Sequence, residues 1–487
     1  MERAGNAVDR ALAWLAPRYG AKRLAARLAI QYLDGLAYDA ASRGPRLAGW
    51  RAEGTSANAE VDAGLHTTRA RARDLVRNHS YAAKAVGILQ RQIVGAGIVA
   101  KIGAREDAAA QRLRERWRAW GETTACDACD QLNFFGLQSQ AMRCIAESGE
   151  VLVRRRWRKP EDDLPLPFQL QLIEPDHLDT LKTEEVEGGN RIIQGVEFDR
   201  IGRRVAYWLF PEHPGDITTW RSVQSKRIPA ADILHIYRVD RIGQVRGIPW
   251  GASAFVELRD YSEVKDARLV REKIAACLVA FITGSADIIP PKDASGRAAQ
   301  EKLVPGTIRR LGPAETVTFS QPGGVEGFKE FAEITKESIA AGYEVPYELL
   351  TGDYSRFNYS SSRQSRTDFG ISLDDWQWNL VIPQFCDKVW RWVLDGAVLD
   401  RVIDRAVEVL WVPPRRALID PLKETMAEER QIRNGFKTIG QSIREAGGDP
   451  DEVWEERAAE LTKLREHGIP TESDGASRGG SAVTGEA

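Results

Sequence analysis

Pro346-Tyr-Glu-Leu-Leu-Thr-Gly-Asp-Tyr-Ser-Arg-Phe-Asn-Tyr-Ser-Ser-Ser-Arg363 is a polar, aromatic-laced run set between two amphipathic segments. Upstream, Phe328, Phe331, Thr335 and Ile339 recur at spacings of three and four, and the pattern stops near Gly342. Downstream, Phe369, Leu373, Trp376 and Leu380 continue past Pro383 to Phe385, Val389 and Trp392. That period marks helices, so the run reads as a loop held between them. Pro383 predicts a kink, because proline lacks an amide hydrogen and its ring collides with the preceding turn.

The patterns further out predict an α+β chain. From Ser253 to about Ala280, Phe255, Leu258, Tyr261, Val264, Ile274 and Leu278 share one helical face. Arg259 with Glu263 and Arg268 with Glu272 form i,i+4 charge pairs on the other face, worth a few tenths of a kcal/mol each. Residues 284–324, rich in Gly and Pro, read as an irregular β excursion. Before residue 250, helices are expected over 68–94, 112–120 and 134–147. Strands are expected at Glu150–Trp157, Phe168–Ile173, Arg191–Phe198, Arg204–Phe210 and Ile233–Tyr237. Gly44–Gly64 reads as a linker. At the C-terminal end Asp420-Pro421, Thr438–Gln441 and Asp449–Glu452 each open a short helix, and residues 471–487 read as disordered.

Composition narrows the function classes. With 487 residues there is material for two to four compact units. A formal net charge of -2 rules out the strongly basic field of a tight, static DNA binder. Five cysteines, an odd number in so long a chain, argue against a disulfide framework and for a reducing compartment. No apolar run is long enough to span a membrane, and the first residues lack a secretory signal, so no membrane partner is expected. Cys126-Asp-Ala-Cys129 has metal-ligand spacing without a second ligand pair nearby, and the six scattered histidines form no ligand set. Glu174 and Asp176 flank Pro175 as an acidic turn, and His235 lies in an apolar strand. Gly475-Ala-Ser477-Arg-Gly479 matches a serine-hydrolase elbow only by letter, and no phosphate-binding Gly-x-x-x-x-Gly-Lys-Ser/Thr string is present. No catalytic residue, metal or cofactor is therefore assigned.

Several strings, taken in order, resemble the lambda-type family of phage portal proteins. They are Trp117-Arg-Ala-Trp120 before Cys126-Asp127, Gly149-Glu150-Val151, Ile173-Glu174-Pro175, Gly202-Arg203 before Ala206-Tyr207-Trp208, Arg227–Tyr237, Gly243–Trp250, Pro305-Gly306 and the run from Pro346. The resemblance spans roughly residues 70 to 465. It implies a portal-type subunit with wing, helical stem, clip, kinked channel helix and α-helical crown. On that plan residues 1–70 form a partly flexible N-terminal arm, 71–250 the wing, 251–283 a stem helix, 284–324 the clip and 325–343 a second stem helix. Residues 344–362 form the channel loop, 363–395 the kinked helix, 396–470 the crown and 471–487 the tail.

The resemblance further implies a self-assembled ring of usually twelve subunits at one head vertex of the virion, assembled in the host cytoplasm. Double-stranded DNA would slide through it during packaging and ejection. The other partners implied are the terminase large subunit, the major capsid and scaffold proteins, and head-tail connector proteins. Arg356, Asn358, Tyr359, Ser360, Arg363 and Arg366 are the implied DNA-channel residues. The competing readings are a packaging-associated hydrolase or nuclease, and another head-tail adaptor.

Overall fold

The computed structural model describes residues 54–104, 106–186, 188–216, 224–276, 280–283, 316–319, 327–355, 358–416, 420–446, 448 and 450–469, with a few positions between 14 and 22. The chain divides into two units, Met1–Ser56 and Ala57–Ala487, and the second carries the elements described below. Helices and antiparallel sheets are mixed in it, as the α+β reading expects.

Helix α1 (Ala57–Asn78) and α2 (Ser80–Val94) are broken only at His79, an extended N-cap whose ring accepts from the Tyr81 amide at 3.3 Å. The first turns of α1 replace the end of the expected linker, because Ala57, Val61 and Leu65 face the body and are buried. Strand β1 (Val99–Ile102), α3 (Ala108–Gly121) and α4 (Phe134–Ser148) follow. The core they share is aromatic: Trp117 meets Phe134 at 4.9 Å and Trp390 at 5.7 Å between ring centroids. Buried indoles need an acceptor, and Trp120 donates to the Phe168 carbonyl at 2.9 Å while Trp390 donates to that of Val407 at 3.1 Å.

Strands β2 (Glu150–Trp157), β3 (Phe168–Ile173) and β9 (Ile233–Tyr237) form a three-stranded sheet ordered β3-β2-β9. Between them in sequence, β4 (Glu184–Val186), β5 (Asn190–Ile193), β6 (Val196–Phe198), β7 (Arg204–Leu209) and β8 (Lys226–Pro229) form a meander in chain order. The single strand expected over 191–198 is therefore a hairpin. Gln194 and Gly195 both have positive φ, 49° and 82°, the conformation of a two-residue turn whose twist matches its strands.

Helix α5 (Phe255–Ala276) and α6 (Phe328–Gly342) touch each other, with the Arg268 guanidinium 4.6 Å from the Phe328 ring centre. The Arg259–Glu263 and Arg268–Glu272 pairs form at 2.9 and 3.4 Å. Of the apolar face expected on α5, Phe255 and Leu258 are buried among the described residues, while Leu278 lies outside them. Val256, Val264, Leu269 and Val270 are exposed, as are Phe331 and Ile334 on α6. Strands β10 (Ala280–Thr283) and β11 (Thr316–Phe319) pair antiparallel; β10 is a strand where the stem helix of 251–283 is expected to end, and of the expected clip, 284–324, all but 316–319 lies outside the described residues.

The run from Pro346 is not one loop: α7 (Tyr347–Thr351) comes first, and α8 (Tyr359–Trp376) starts before Arg363. Pro383 sits in a ten-residue π-helical stretch, Gln377–Cys386, that leads directly into α9 (Asp387–Leu399). The wider turn absorbs a residue that cannot donate to the ordinary helical ladder. Residues 402–412 then return to the core: Val402, Ile403, Val407 and Trp411 are buried, and β12 (Val409–Val412) pairs antiparallel with β1. The terminal helices therefore start after this return, at α10 (Pro421–Arg433), followed by α11 (Ile439–Glu445) and α12 (Pro450–Glu466). Asp420 and Thr438 cap α10 and α11 through the amides of Lys423 and Gln441, as their sequence signals require. The tail from 471 lies outside the described residues.

Candidate nucleic-acid interface

Asn358 fixes the start of α8. Its side chain accepts from the Ser361 amide at 2.9 Å while the Ser361 hydroxyl accepts from the Asn358 amide at 3.0 Å, so two orphan amides are satisfied together. Ser360 is exposed one position into the helix, and Tyr359 is its first residue. Arg363 and Arg366 follow on one face, both exposed. Arg356 lies outside the described residues.

The acidic residues that could have neutralised these arginines are engaged elsewhere. Asp368 accepts from Gln364 at 2.8 Å, Asp353 from Ser355, and Asp374 pairs with Arg416. Among the described residues neither Arg363 nor Arg366 has a carboxylate partner. Both line an open cavity of about 530 Å³ together with Arg91 from the end of α2 and Arg415 and Arg416 from the segment after β12. Its apolar floor includes Phe369, Leu373 and Pro414. Sequence reasoning missed Arg91, Arg415 and Arg416 as companions of Arg363. The Pro413-Pro414-Arg415-Arg416 string was the available signal.

Three of the strings that carry the resemblance, Gly149–Val151, Arg227–Tyr237 and Gly243–Trp250, meet at a different place, around Glu150. Its carboxylate is fully buried and accepts from Arg246 Nε and Nη2 at 2.9 and 2.6 Å, Arg69 Nη2 at 2.6 Å, His235 Nε2 at 2.8 Å and the Gly247 amide at 2.8 Å. Burial alone would raise this carboxyl; Arg246, His235 and Arg69 outweigh it and hold it well below the usual range. Burial pushes His235 down to about 4 despite Glu150 beside it, so at neutral pH the ring is uncharged and donates through Nε2. The site thus joins α1, β2, β9 and the 243–250 segment. Arg69, which the sequence does not set apart from Arg71, Arg73 and Arg77 on the same helix, is among its innermost residues.

The remaining motif-like residues have structural surroundings. Arg73 bridges Glu174 at 3.1 Å and Asp176 at 2.5 Å, with His213 3.4 Å from Glu174. Burial would raise the Asp176 carboxyl, but Arg73 and Arg69 hold it below its ordinary value, which opposes a role as acid. Cys126 is buried with its thiol pushed up to about 12 by burial, whereas Cys129 is exposed. The aspartate between them orders the turn: Asp127 accepts from the amides of Cys129, Gln131 and Leu132 at 3.0–3.1 Å. No helix among the described residues is long and apolar enough to cross a membrane.

Relatives that align with most of the chain are phage proteins. The probable portal protein of Halomonas phage phiHAP-1 is 27% identical over 435 residues, covering 83% of this chain and 82% of its own length. Portal protein B of Escherichia phage lambda is 23% identical over 485 residues, covering 88% and 89%. Among solved structures, a chain in the neck of an empty gene transfer agent particle aligns with a TM-score of 0.47 at 16% identity, covering 83% of this chain and 96% of that one. A HK97-family phage portal protein from Corynebacterium diphtheriae aligns at 0.32 and 11% identity, covering 74% and 98%.

The class these relatives define is the phage portal protein. The model of the phage portal protein, lambda family, matches residues 43–377, and the chain belongs to that family.

Proposed function

We propose that copies of this chain assemble into a ring at one capsid vertex and that double-stranded DNA passes through it during packaging and ejection. Family membership is the observation that carries this reading. In this reading the subunit carries the wing, stem pair, clip, channel segment and crown that membership in the family supports. The pairing of α5 with α6 supports a two-helix stem, and the exposed apolar faces of both fit burial against neighbouring copies. In this reading Asn358, Ser360, Arg363 and Arg366 on α8, with Tyr359 and Arg356, face the DNA path. A few exposed arginines per subunit, repeated around a ring, give many weak phosphate contacts without a single tight grip. The terminase large subunit, capsid and scaffold proteins and head-tail connectors are the partners expected of such a ring, which would form in the host cytoplasm. A nuclease or hydrolase is disfavoured because Asp176 is held by Arg73 and the Cys126 thiol is buried.

The test is the solution mass of the full-length protein by light scattering, with electron micrographs of the same fraction. A ring of twelve copies of 54.2 kDa, about 650 kDa, with a central hole is the expected result. A compact monomer that stays monomeric in the presence of scaffold protein would overturn it.

A further inference from the structure

From the arginine-lined cavity we infer that each subunit carries a fixed phosphate-binding groove for one strand of duplex DNA, built from α2, α8 and the 413–416 segment. The inference rests on the proposed DNA path along α8 and extends it to Arg91 and Arg415, which no α8 pattern contains. Five arginines from three separate parts of the chain line this one cavity of about 530 Å³.

Their neutralisation is incomplete. Arg416 is committed to Asp374 and the Gly370 carbonyl, and Arg415 reaches Glu428 only at 3.8 Å. Arg91, Arg363 and Arg366 have no carboxylate partner among the described residues. Glu424, the one acid on the lining, already accepts from the Asp420 amide at 3.3 Å. A concave surface holding three uncompensated arginines attracts anions, and the planar guanidinium fork matches phosphate oxygens.

Placement favours nucleic acid over an acidic protein segment. Arg363 and Arg366 lie three apart on α8, about 5–6 Å between Cβ atoms, so both address the same strand. The lining residues Arg363, Arg366 and Thr367 follow Ser360 at exposed positions of α8. Whereas an exposed helix face permits only passing contacts, arginines converging from three elements hold a phosphate at a set position. The groove therefore retards the strand where the rest of α8 lets it slide.

The experiment measures binding of a fluorescent 30-bp duplex to the assembled full-length protein by anisotropy across a salt series. The comparison is wild type against Arg91→Gln/Arg415→Gln, with Arg91→Lys/Arg415→Lys as the charge-retaining control. Each phosphate contact contributes about 0.9 to the slope of log affinity against log salt. The Gln pair should lose about 1.8 from that slope and bind several-fold more weakly at low salt, and the Lys pair should recover most of both. An unchanged slope in the Gln pair overturns the groove. So does a poly-glutamate peptide that binds wild type and not the Gln pair while DNA affinity is unaltered, since the groove then takes an acidic protein segment. A parallel Arg363→Gln/Arg366→Gln variant separates the two levels: if it alone loses DNA affinity, the α8 path stands without the groove, and if neither variant does, both fall.

Discussion

Arg246 donates to both carboxylate oxygens of Glu150, at 2.6 Å through Nη2 and 3.2 Å through Nε at the second oxygen, with neither side chain reaching solvent. The pair is the centre of a buried charge cluster, and breaking such a pair from one side leaves the other charge stranded in a poor solvent.

Replacing Glu150 by Gln strands both Arg246 and Arg69. The expected loss is about 3–5 kcal/mol of stability, read as a lowered urea midpoint with an unchanged slope. A loss under about 1 kcal/mol would mean that the cluster opens to water.

Acid should weaken the same region from below neutrality. His235 is held at about 4 in the folded chain against an ordinary value of 6.5, so as pH falls through that window the unfolded chain takes up the proton first and stability declines. Glu150 is also held below its ordinary value, so its contribution is whole above about pH 4.5 and is lost at lower pH still. Urea midpoints from pH 7.5 to 4 should fall steadily. His235→Gln, which keeps a donor to Glu150, should flatten the part between 6.5 and 4.

Glycine is required at 247 by contact and favoured at 243 by conformation. A Cβ at 247 would stand 2.2 Å from the Gly149 carbonyl oxygen and 2.6 Å from the Tyr237 Cβ, whereas at 243, with φ +83°, nothing lies within 4 Å. Gly243→Ala should cost about 1–2 kcal/mol from left-handed strain alone. Gly247→Ala should cost more than about 3 kcal/mol or prevent folding, as a clash between backbones cannot relax cheaply.

In the Cys126–Cys129 string the aspartate is the residue to change. Asp127→Ala leaves three amides without their acceptor and should cost at least about 2 kcal/mol, while Cys129→Ser should leave the melting temperature within a degree. Equal effects of the two would reopen the thiol pair as a functional unit.

On the proposed DNA path, Arg363→Ala with Arg366→Ala should leave ring assembly intact and reduce packaged-genome yield several-fold. Normal yield, measured as DNA protected from nuclease in purified heads, would remove both residues from the path.

Much of the architecture was readable locally. The strands at Glu150–Trp157 and Ile233–Tyr237, the capped helices after Asp420 and the disruption at Pro383 all follow from short-range patterns. What escaped depends on partners distant in sequence. Arg69 looks like its neighbours on a charged helix until Glu150 is placed against it. The Gln194-Gly195 turn hides inside an apolar run because glutamine is an uncommon choice for positive φ. Of the site, Arg363 and Arg366 stood out only through the family resemblance, while Arg91 and Arg415 join them only through the fold.

Strand β12 carries one more consequence, for the order in which the molecule is made. Val99–Ile102 pairs with Val409–Val412, and Trp411 packs beside Trp117 and Phe134. At ribosomal speeds the two strands emerge about 15–60 s apart. During that interval the aromatic centre stays open on one side, exposed to any chaperone or neighbouring nascent chain. Truncation before Val409 would thus remove a wall of the body itself, and a stalled ribosome short of that point holds a protein that cannot close.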